Sequence, residues 1–333
     1  MKKMKNPRWA YLINFLAVCL LFLLLTALFN SGVLGTRTTY IKGIATTACY
    51  TIIVVASLNL LTGFMGEFSL GHAGFMSVGA YSSAIVTNML SGKGIPDLPL
   101  FAIALLVGGL AAALTGVLVG VPALRLRGDY LAIVTVAFAE IVRVAFCNLQ
   151  ITGGGRTMSG ITKLSDFSSC FWVMVICLTC MYMYVRSRFG RNIVAIREDY
   201  IAAAASGINV TYYKVLTFTI SAFFAGVGGA MYAHYMTAMI PTNFNFNYSA
   251  ELLTEVIIGG TGSLTGSIIG AAFLSSLPEL MRKFADYRML VYSVVLLFVM
   301  IFKPSGIFGS YEFSLTGVLS KLSGKLKLRR SER

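Results

Sequence analysis

Long apolar runs dominate this sequence and decide what it can fold into. Eight runs follow one another, each of about twenty residues, which is long enough to cross a bilayer as an α-helix. They lie at 10–29, 44–62, 68–90, 98–121, 130–149, 168–186, 215–239 and 285–303. Only 12% of the residues are charged, against about 25% in soluble domains. We therefore predict an all-α polytopic membrane protein with about 8–10 transmembrane helical elements.

The basic residues are distributed as in membrane proteins. The net charge of +14 comes from 27 basic and 13 acidic residues. A nucleic-acid-binding protein also carries such an excess, but here Lys and Arg gather in short segments between apolar runs, as in cytoplasmic loops and tails. We therefore expect a lipid bilayer and no nucleic acid as a partner. The positive-inside rule predicts that both termini and the loop 187–214 are cytoplasmic.

These segments divide the chain into five parts. We predict a cytoplasmic tail at 1–9, a transmembrane bundle at 10–186, a cytoplasmic loop at 187–214, a second bundle at 215–305 and a basic tail at 306–333. The first apolar run follows a basic start, as in a signal peptide, but its length favours a retained anchor. Leucines at helical spacing in the basic tail favour an amphipathic helix on anionic lipid, with a disordered tail as the alternative.

The run from Leu58 to Tyr81 combines glycine with polar groups at membrane depth. Its polar residues of interest are Asn59, Glu67, Ser69, His72 and Ser77. Such groups normally face protein or water, and backbone broken by glycine is tolerated only there. We therefore expect this run to form part of a transport path. In the alternative interpretation Glu67 and His72 pair with each other or cap broken helix ends, and do not contact substrate.

A second glycine-broken region lies at 251–280. It is too short for two full crossings of about twenty residues each, and the glycines at 259–262 interrupt it. We predict a re-entrant segment, in which a half-helix turns at the glycines and the chain returns to its starting side. Thr261 and Ser263 then join the predicted path.

Other patterns predict packing and ion pairing without chemistry. Small residues recur at period four in the seventh run, which lets helix backbones approach closely in lipid; they are Ser221, Ala225, Gly229 and Ala233. Glu140 and Arg143 are spaced for an interfacial ion pair on one helix. Cys177 and Cys180 lie in an apolar run, where cysteine usually behaves as a small hydrophobic residue. We expect no metal site.

The loop 187–214 is the longest polar connection. We predict a short helix from Arg197 to Ser206, with Glu198 and Asp199 in its first turn and Gly207 at its end. Its alanine run offers a smooth surface of small side chains. We expect this helix to dock on another surface; the alternative is a helix that lies on the membrane.

Several strings carry a family resemblance. EDYIAAAASG resembles the coupling loop of ABC importer permeases. The fuller string FGRNIVAIREDYIAAAASGINVTYYK, with LTGFMGEFSLGHAGFMSVGAY and IIGGTGSLTGSIIGA, resembles the branched-chain amino acid permeases, specifically the longer of their two membrane subunits. The resemblance covers residues 40–305 in order. Urea and short-amide permeases resemble this group closely, so the substrate remains open between them.

The resemblance implies a heteromeric importer of the larger-bundle type, similar to the vitamin B12 importer, in the bacterial inner membrane. It implies two ABC ATPase subunits, a second permease subunit and an extracytoplasmic substrate-binding protein. The residues expected to dock on the ATPase are Glu198, Asp199, Ala202, Ala203 and Gly207. The sequence has no GxxxxGK[ST] phosphate loop, so ATP hydrolysis falls to partner subunits and no cofactor is expected.

Two other classes of protein remain as alternatives. An ion-coupled secondary transporter would suit Glu67 and the broken helices, but it has no need of the predicted docking helix. An intramembrane enzyme needs a converging nucleophile and base, whereas His72 stands isolated in the sequence.

Overall fold

The regular structure is helical throughout the described chain. The computed structural model describes residues 7–30, 38–126 and 128–280, with isolated residues between 287 and 309. Its helices are α1 (Pro7–Asn30), α2 (Thr38–Asn59), α3 (His72–Leu90), α4 (Asp97–Ala123), α5 (Asp129–Asn148), α6 (Phe167–Arg186), α7 (Arg188–Glu198), α8 (Tyr200–Ala205), α9 (Val210–Met236), α10 (Phe246–Gly259) and α11 (Leu264–Leu280). The predicted span 285–303 is described only at isolated positions, and the predicted tail helix at 314–330 lies outside the described residues.

The prediction of an all-α polytopic membrane protein is confirmed. Among the described residues, five helical segments are long and apolar enough to cross a membrane. They are Thr38–Met65, Asp97–Ala123, Asp129–Asn148, Phe167–Arg186 and Val210–Met236. Their outer faces suit lipid: Leu106, Leu110, Leu114 and Leu118 of α4 form an exposed stripe at a spacing of four residues.

The described chain divides into two compact units. The first contains α1 and the start of α2 up to Lys42, and the second begins at Gly43. In the first unit, leucines such as Leu16, Leu20 and Leu23 are exposed along α1. All contacts described below lie within the second unit.

The helix α3 lies at the centre of the second unit. It packs against α4, α5 and α9, and most of its residues are buried. The predicted run 68–90 is therefore a shorter helix that protein surrounds, which explains why α3 tolerates polar residues; it is not among the five segments long and apolar enough to cross a membrane. Gly79 lies inside α3, where it provides close contact with Gly226 of α9. Glycine therefore interrupts the helical structure in only part of the run from Leu58 to Tyr81.

The true break in this region follows α2. The helix continues as one π-helical turn at Leu60–Met65 and ends at Gly66, whose φ of +78° favours glycine. An irregular segment then leads to Gly71, the residue that precedes α3. Such π-helical turns are rare and occur frequently at functional sites.

The region 251–280 folds as a helical hairpin. The helices α10 and α11 pack together, and the chain reverses at Gly260–Ser263. With 14 residues, α10 is about 21 Å long, shorter than a hydrocarbon core of about 30 Å, and 17 residues of α11 are described. This geometry agrees with the predicted turn at the glycines, and the side of the membrane to which the chain returns stays a prediction.

The predicted helix from Arg197 to Ser206 is wrong in its boundaries. Glu198 ends α7, and Asp199 separates α7 from α8 with an extended backbone. The Asp199 carboxylate accepts hydrogen bonds from the backbone nitrogens of Ile201 at 2.8 Å and Ala202 at 3.1 Å. Since this cap begins a new helix, the loop contains two short helices in place of one.

Candidate translocation path and its junction with the polar loop

Asn59 joins the two broken segments. Its buried Nδ2 donates to the carbonyl oxygens of Ser263 at 2.9 Å and Gly260 at 3.3 Å. Nδ2 also donates to Ser267 Oγ at 2.6 Å, and Oδ1 accepts from the Gly262 backbone nitrogen at 2.9 Å. One side chain therefore holds the end of α2 against the tip of the α10–α11 hairpin.

Gly63 permits this approach. A Cβ at Gly63 would overlap both the backbone nitrogen of Gly262 and the side-chain oxygen of Asn59. The glycine breaks that the sequence places about 200 residues apart are thus one structural element, which we call the glycine junction: residues 59–66 and 259–263.

Arg197, in the last turn of α7, contacts the glycine junction directly. Its Nη1 donates to the carbonyl oxygen of Gly63 at 2.7 Å. Its Cγ fills the space beside Gly66, where an added Cβ would lie only 2.7 Å away. The guanidinium group also forms an ion pair with Glu198 at 2.5 Å. The predicted coupling loop therefore touches the predicted path through one long side chain.

A second connection forms between Glu67 and Lys214 of α9. The two side chains form an ion pair, and they are 12% and 13% exposed respectively. Because little water reaches this pair, removing one partner leaves a poorly solvated charge. The alternative that Glu67 pairs with His72 is therefore wrong. Glu67 instead pairs with Lys214, the last residue of the loop 187–214.

His72 instead joins α3 to α2. Its ring is buried, and Nε2 lies 2.8 Å from Ser57 Oγ. The Ser57 carbonyl oxygen accepts a hydrogen bond from Ser221 Oγ of α9 at 2.6 Å. Nδ1 of His72 has no hydrogen-bond partner among the described residues. This chain of contacts ties three helices together immediately beside the glycine junction.

The remaining predicted path residues differ in their surroundings. Ser77 donates back to the Gly74 carbonyl oxygen of its own helix at 2.7 Å. Ser69 is buried, and its hydroxyl has no partner in the described part of the chain. Ser263 Oγ accepts from the Gly266 backbone nitrogen at 3.0 Å and so caps α11. Thr261 is half-buried at the hairpin tip. Asn59, Thr261 and Ser263 therefore meet, whereas the Ser77 hydroxyl is occupied within α3.

The predicted docking residues form an exposed surface, with one exception. Glu198, Asp199, Ala202 and Gly207 are exposed, and Ile201 beside them is 63% exposed. Ala203 is buried, so its side chain is not part of this exposed surface. The α7 helix is anchored by Ile193, which packs with Leu61 and Met65 of the π-helical turn.

The comparisons with known proteins agree with this architecture. Residues 40–302 match the family model described as "Branched-chain amino acid transport system / permease component". The chain belongs to this permease family. It is 36% identical to the high-affinity branched-chain amino acid transport system permease protein LivM of Salmonella typhimurium over 79% of this chain and 69% of that protein.

The chain is also similar to more distant permease proteins. The ribose import permease protein RbsC of Escherichia coli is 27% identical over 66% of this chain and 80% of its own length. The branched-chain permease protein LivH of Salmonella typhimurium is 22% identical over 81% of this chain and 94% of its own length. No solved structure gives a significant match.

The small residues of α9 pack inside this permease. Ser221, Ala225, Gly229 and Ala233 are all buried. A Cβ at Gly229 would overlap the carbonyl oxygen of Met76 in α3. The predicted ion pair on α5 is confirmed, since Arg143 Nε lies 2.7 Å from Glu140 Oε2.

The sequence does not predict the contacts of the two basic residues that reach Gly63 and Glu67. It predicts only a helix for Arg197 and a basic loop for Lys214. A basic residue in a polar loop indicates a contact with a particular carbonyl or carboxylate oxygen only if that partner is known to be near. Nothing in the spacing indicates that the partners are Gly63 and Glu67.

Proposed function

We propose that this chain is a transmembrane subunit of a binding-protein-dependent ABC importer for branched-chain amino acids in the bacterial inner membrane. Two ABC ATPases, a second permease subunit and an extracytoplasmic binding protein complete the importer. The observation that carries the proposal is the contact of Arg197 with Gly63, because it links an exposed docking surface to the broken helix.

The mechanism follows from the contacts of α7 and α8. ATP binding brings the ATPases together and displaces the docking surface formed by Glu198, Asp199, Ala202 and Gly207. Asp199 joins the two helices, because its backbone nitrogen donates to the Ala195 carbonyl oxygen of α7 and its carboxylate caps α8. Arg197 and Lys214 then pass the displacement to the glycine junction, which is the element with two arrangements.

The glycine junction offers polar groups without a fixed net charge, which suits an amino acid that crosses as a zwitterion. Asn59, Thr261 and Ser263 at the junction, with Ser69 and His72 beside it, supply hydroxyl, amide and imidazole groups. Glu67 contributes through its ion pair with Lys214 and does not present a free charge. In this assignment the main role of Asn59 is to hold the end of α2 against the tip of the α10–α11 hairpin.

The substrate assignment rests on the relatives. The relative at 36% identity is a branched-chain amino acid permease, and the ribose permease is 27% identical. Urea or a short amide is the alternative within the same architecture. An ion-coupled carrier is the alternative from another class, and the exposed surface of α8 argues against it because a carrier has no subunit to dock there.

Reconstitution with the partner subunits tests the proposal. We expect proteoliposomes that contain the permease pair, the ATPases and the binding protein to accumulate leucine only when ATP is hydrolysed. Uptake of leucine driven by an ion gradient without ATPases would contradict the importer assignment. Uptake of urea but not leucine would contradict the substrate assignment alone.

Gly207 tests the docking surface. Its φ is +83°, and no atom of the described chain lies within 4 Å of an added Cβ. Gly207→Ala and Gly207→Trp therefore carry the same backbone strain of about 1 kcal/mol, and they differ only in size. We expect both variants to insert normally, Gly207→Ala to keep most ATP-dependent uptake, and Gly207→Trp to lose at least about tenfold, equivalent to about 1.4 kcal/mol of coupling. Equal uptake by the two variants would remove this surface from the interface.

A further inference from the structure

A buried carboxylate on α10 is not used by the junction. Glu255 is 6% exposed. Its Oε2 has no hydrogen-bond partner among the described residues, and none of the ion pairs formed there includes it. The half-buried Glu251, one turn earlier, interacts with it electrostatically and adds further negative charge. A buried acid is normally paired or hydrogen-bonded, so Oε2 is available to accept a hydrogen bond from a ligand.

Tyrosine side chains from two helices interact with this acid, and a third packs against one of them. Glu255 interacts electrostatically with Tyr248 of its own helix and with Tyr50 of α2. The Tyr50 ring lies 5.5 Å from that of Tyr232 in α9, in an edge-to-face arrangement. The faces of such rings attract cations, most strongly where water is excluded.

A second unpartnered group lies at the other end of the same ring cluster. Phe244 contacts Tyr232, Tyr248 and Tyr81, with ring centroids 5.6, 6.5 and 6.3 Å away. The Tyr81 side chain of α3 is fully buried, and its hydroxyl has no partner among the described residues. One continuous cluster thus ends in an unpaired carboxylate oxygen on one side and an unpaired hydroxyl on the other.

We propose that this cluster is an occluded binding site for the primary ammonium group of an amino acid. Its residues are Tyr50, Tyr81, Tyr232, Phe244, Tyr248 and Glu255. Glu255 accepts the ammonium hydrogens, the rings of Tyr50 and Tyr248 lie against the cation and the hydrocarbon side chain of the ligand, and the Tyr81 hydroxyl hydrogen-bonds to its carboxylate. The assignment of this site depends on the proposed import of amino acids.

The position of the site connects it to the glycine junction. Tyr50 lies on α2, which ends in the π-helical turn, and Glu255 lies one turn before the Gly260 break of the hairpin. Asn59 holds these two helix ends together. Breaking that contact separates α2 from α10, and the walls of the site separate with them.

Two substitutions test the site in the complete importer. We expect Glu255→Gln, which keeps shape but removes the charge, to reduce ATP-dependent leucine uptake at least tenfold while ATP hydrolysis continues. We expect Tyr81→Phe to reduce uptake severalfold while thermal stability stays equal or rises, because it removes a buried hydroxyl without a partner. Glu140→Gln, in the exposed ion pair of α5, is the matched control and should keep wild-type uptake.

A binding measurement separates the ammonium group from other ligands. In the solubilised permease–ATPase complex without binding protein, millimolar leucine should raise the melting midpoint of the wild type but not of Glu255→Gln. The analogue 4-methyl-2-hydroxypentanoate, which lacks the ammonium group, should raise neither. Stabilisation by sodium ions in place of leucine would overturn the proposal.

The outcomes also distinguish this site from the proposed function. A wild-type importer that does not transport leucine refutes the proposed function. A wild-type importer that transports leucine, with undiminished uptake by Glu255→Gln or Tyr81→Phe, refutes the ammonium site alone. If Glu255→Gln does not insert into the membrane, Tyr81→Phe decides the question.

Discussion

Replacing Asn59 by leucine is expected to unfold the glycine junction and abolish uptake. The substitution keeps the branched shape but removes the hydrogen bonds to Gly260, Gly262, Ser263 and Ser267. Side-chain hydrogen bonds between membrane helices are worth about 0.6 kcal/mol on average. The two amide hydrogens and the accepted bond therefore amount to about 2 kcal/mol. We expect the melting midpoint of the purified permease to fall by about 4–8 °C.

The control for this substitution is Asn88→Leu. Asn88 is exposed near the end of α3, where the same exchange should change stability by less than about 0.5 kcal/mol. Asn59→Asp should fall between wild type and Asn59→Leu, because aspartate still accepts from the Gly262 nitrogen but donates nothing. A melting midpoint of Asn59→Leu within 2 °C of wild type, measured in the same detergent, would show that the hydrogen bonds of Asn59 contribute little to stability. A shift of 2 °C corresponds to about 1 kcal/mol or less.

Breaking the ion pair between Glu67 and Lys214 is expected to uncouple ATP hydrolysis from transport. In Glu67→Gln the ammonium group of Lys214, 13% exposed, loses its partner. Leaving a buried charge unpaired costs about 3–5 kcal/mol, and the partial exposure of this pair reduces that figure. We expect leucine uptake to fall at least about tenfold, a loss of about 1.4 kcal/mol, while ATPase activity persists.

A charge exchange gives the decisive comparison. The double variant Glu67→Lys with Lys214→Glu should recover part of the uptake that either single variant loses, because the attraction is restored with its sign reversed. The Glu140–Arg143 pair supplies the matched control, since its side chains are 37% and 28% exposed and water screens them. If Glu140→Gln lowers uptake as much as Glu67→Gln, the contact with Lys214 has no special role in coupling.

The membrane-spanning pattern was predictable from sequence because a single physical requirement dominates it. A crossing helix needs about twenty apolar residues, and α4, α5 and α6 begin and end within two residues of the predicted runs. The boundaries of α7 and α8 were not predictable in this way. There a local competition decides the outcome: the Asp199 side chain captures two backbone nitrogens and splits what composition alone presents as one helix.

The candidate site was only partly predictable for a similar reason. Polar residues and glycines at membrane depth pointed to Asn59, Thr261 and Ser263, which do meet. The partners of Glu67 and His72 were missed, because Lys214 and Ser57 are brought close by the packing of α9 and α2 and carry no spacing signal. Ser77 was assigned to the path because a hydroxyl in an apolar run suggests a ligand contact, whereas its own helix satisfies it.

The protein environment of α3 also constrains how the chain is made. A helix that carries His72, several serines and Asn88 has a weak tendency to partition into lipid by itself, whereas α4 is strongly apolar along its whole length. During synthesis, α3 emerges before α4 and α9, the two helices that later cover it. We therefore expect its stable integration to wait for helices that follow it in the chain. Membrane insertion and tertiary folding of this permease should then be one coupled process.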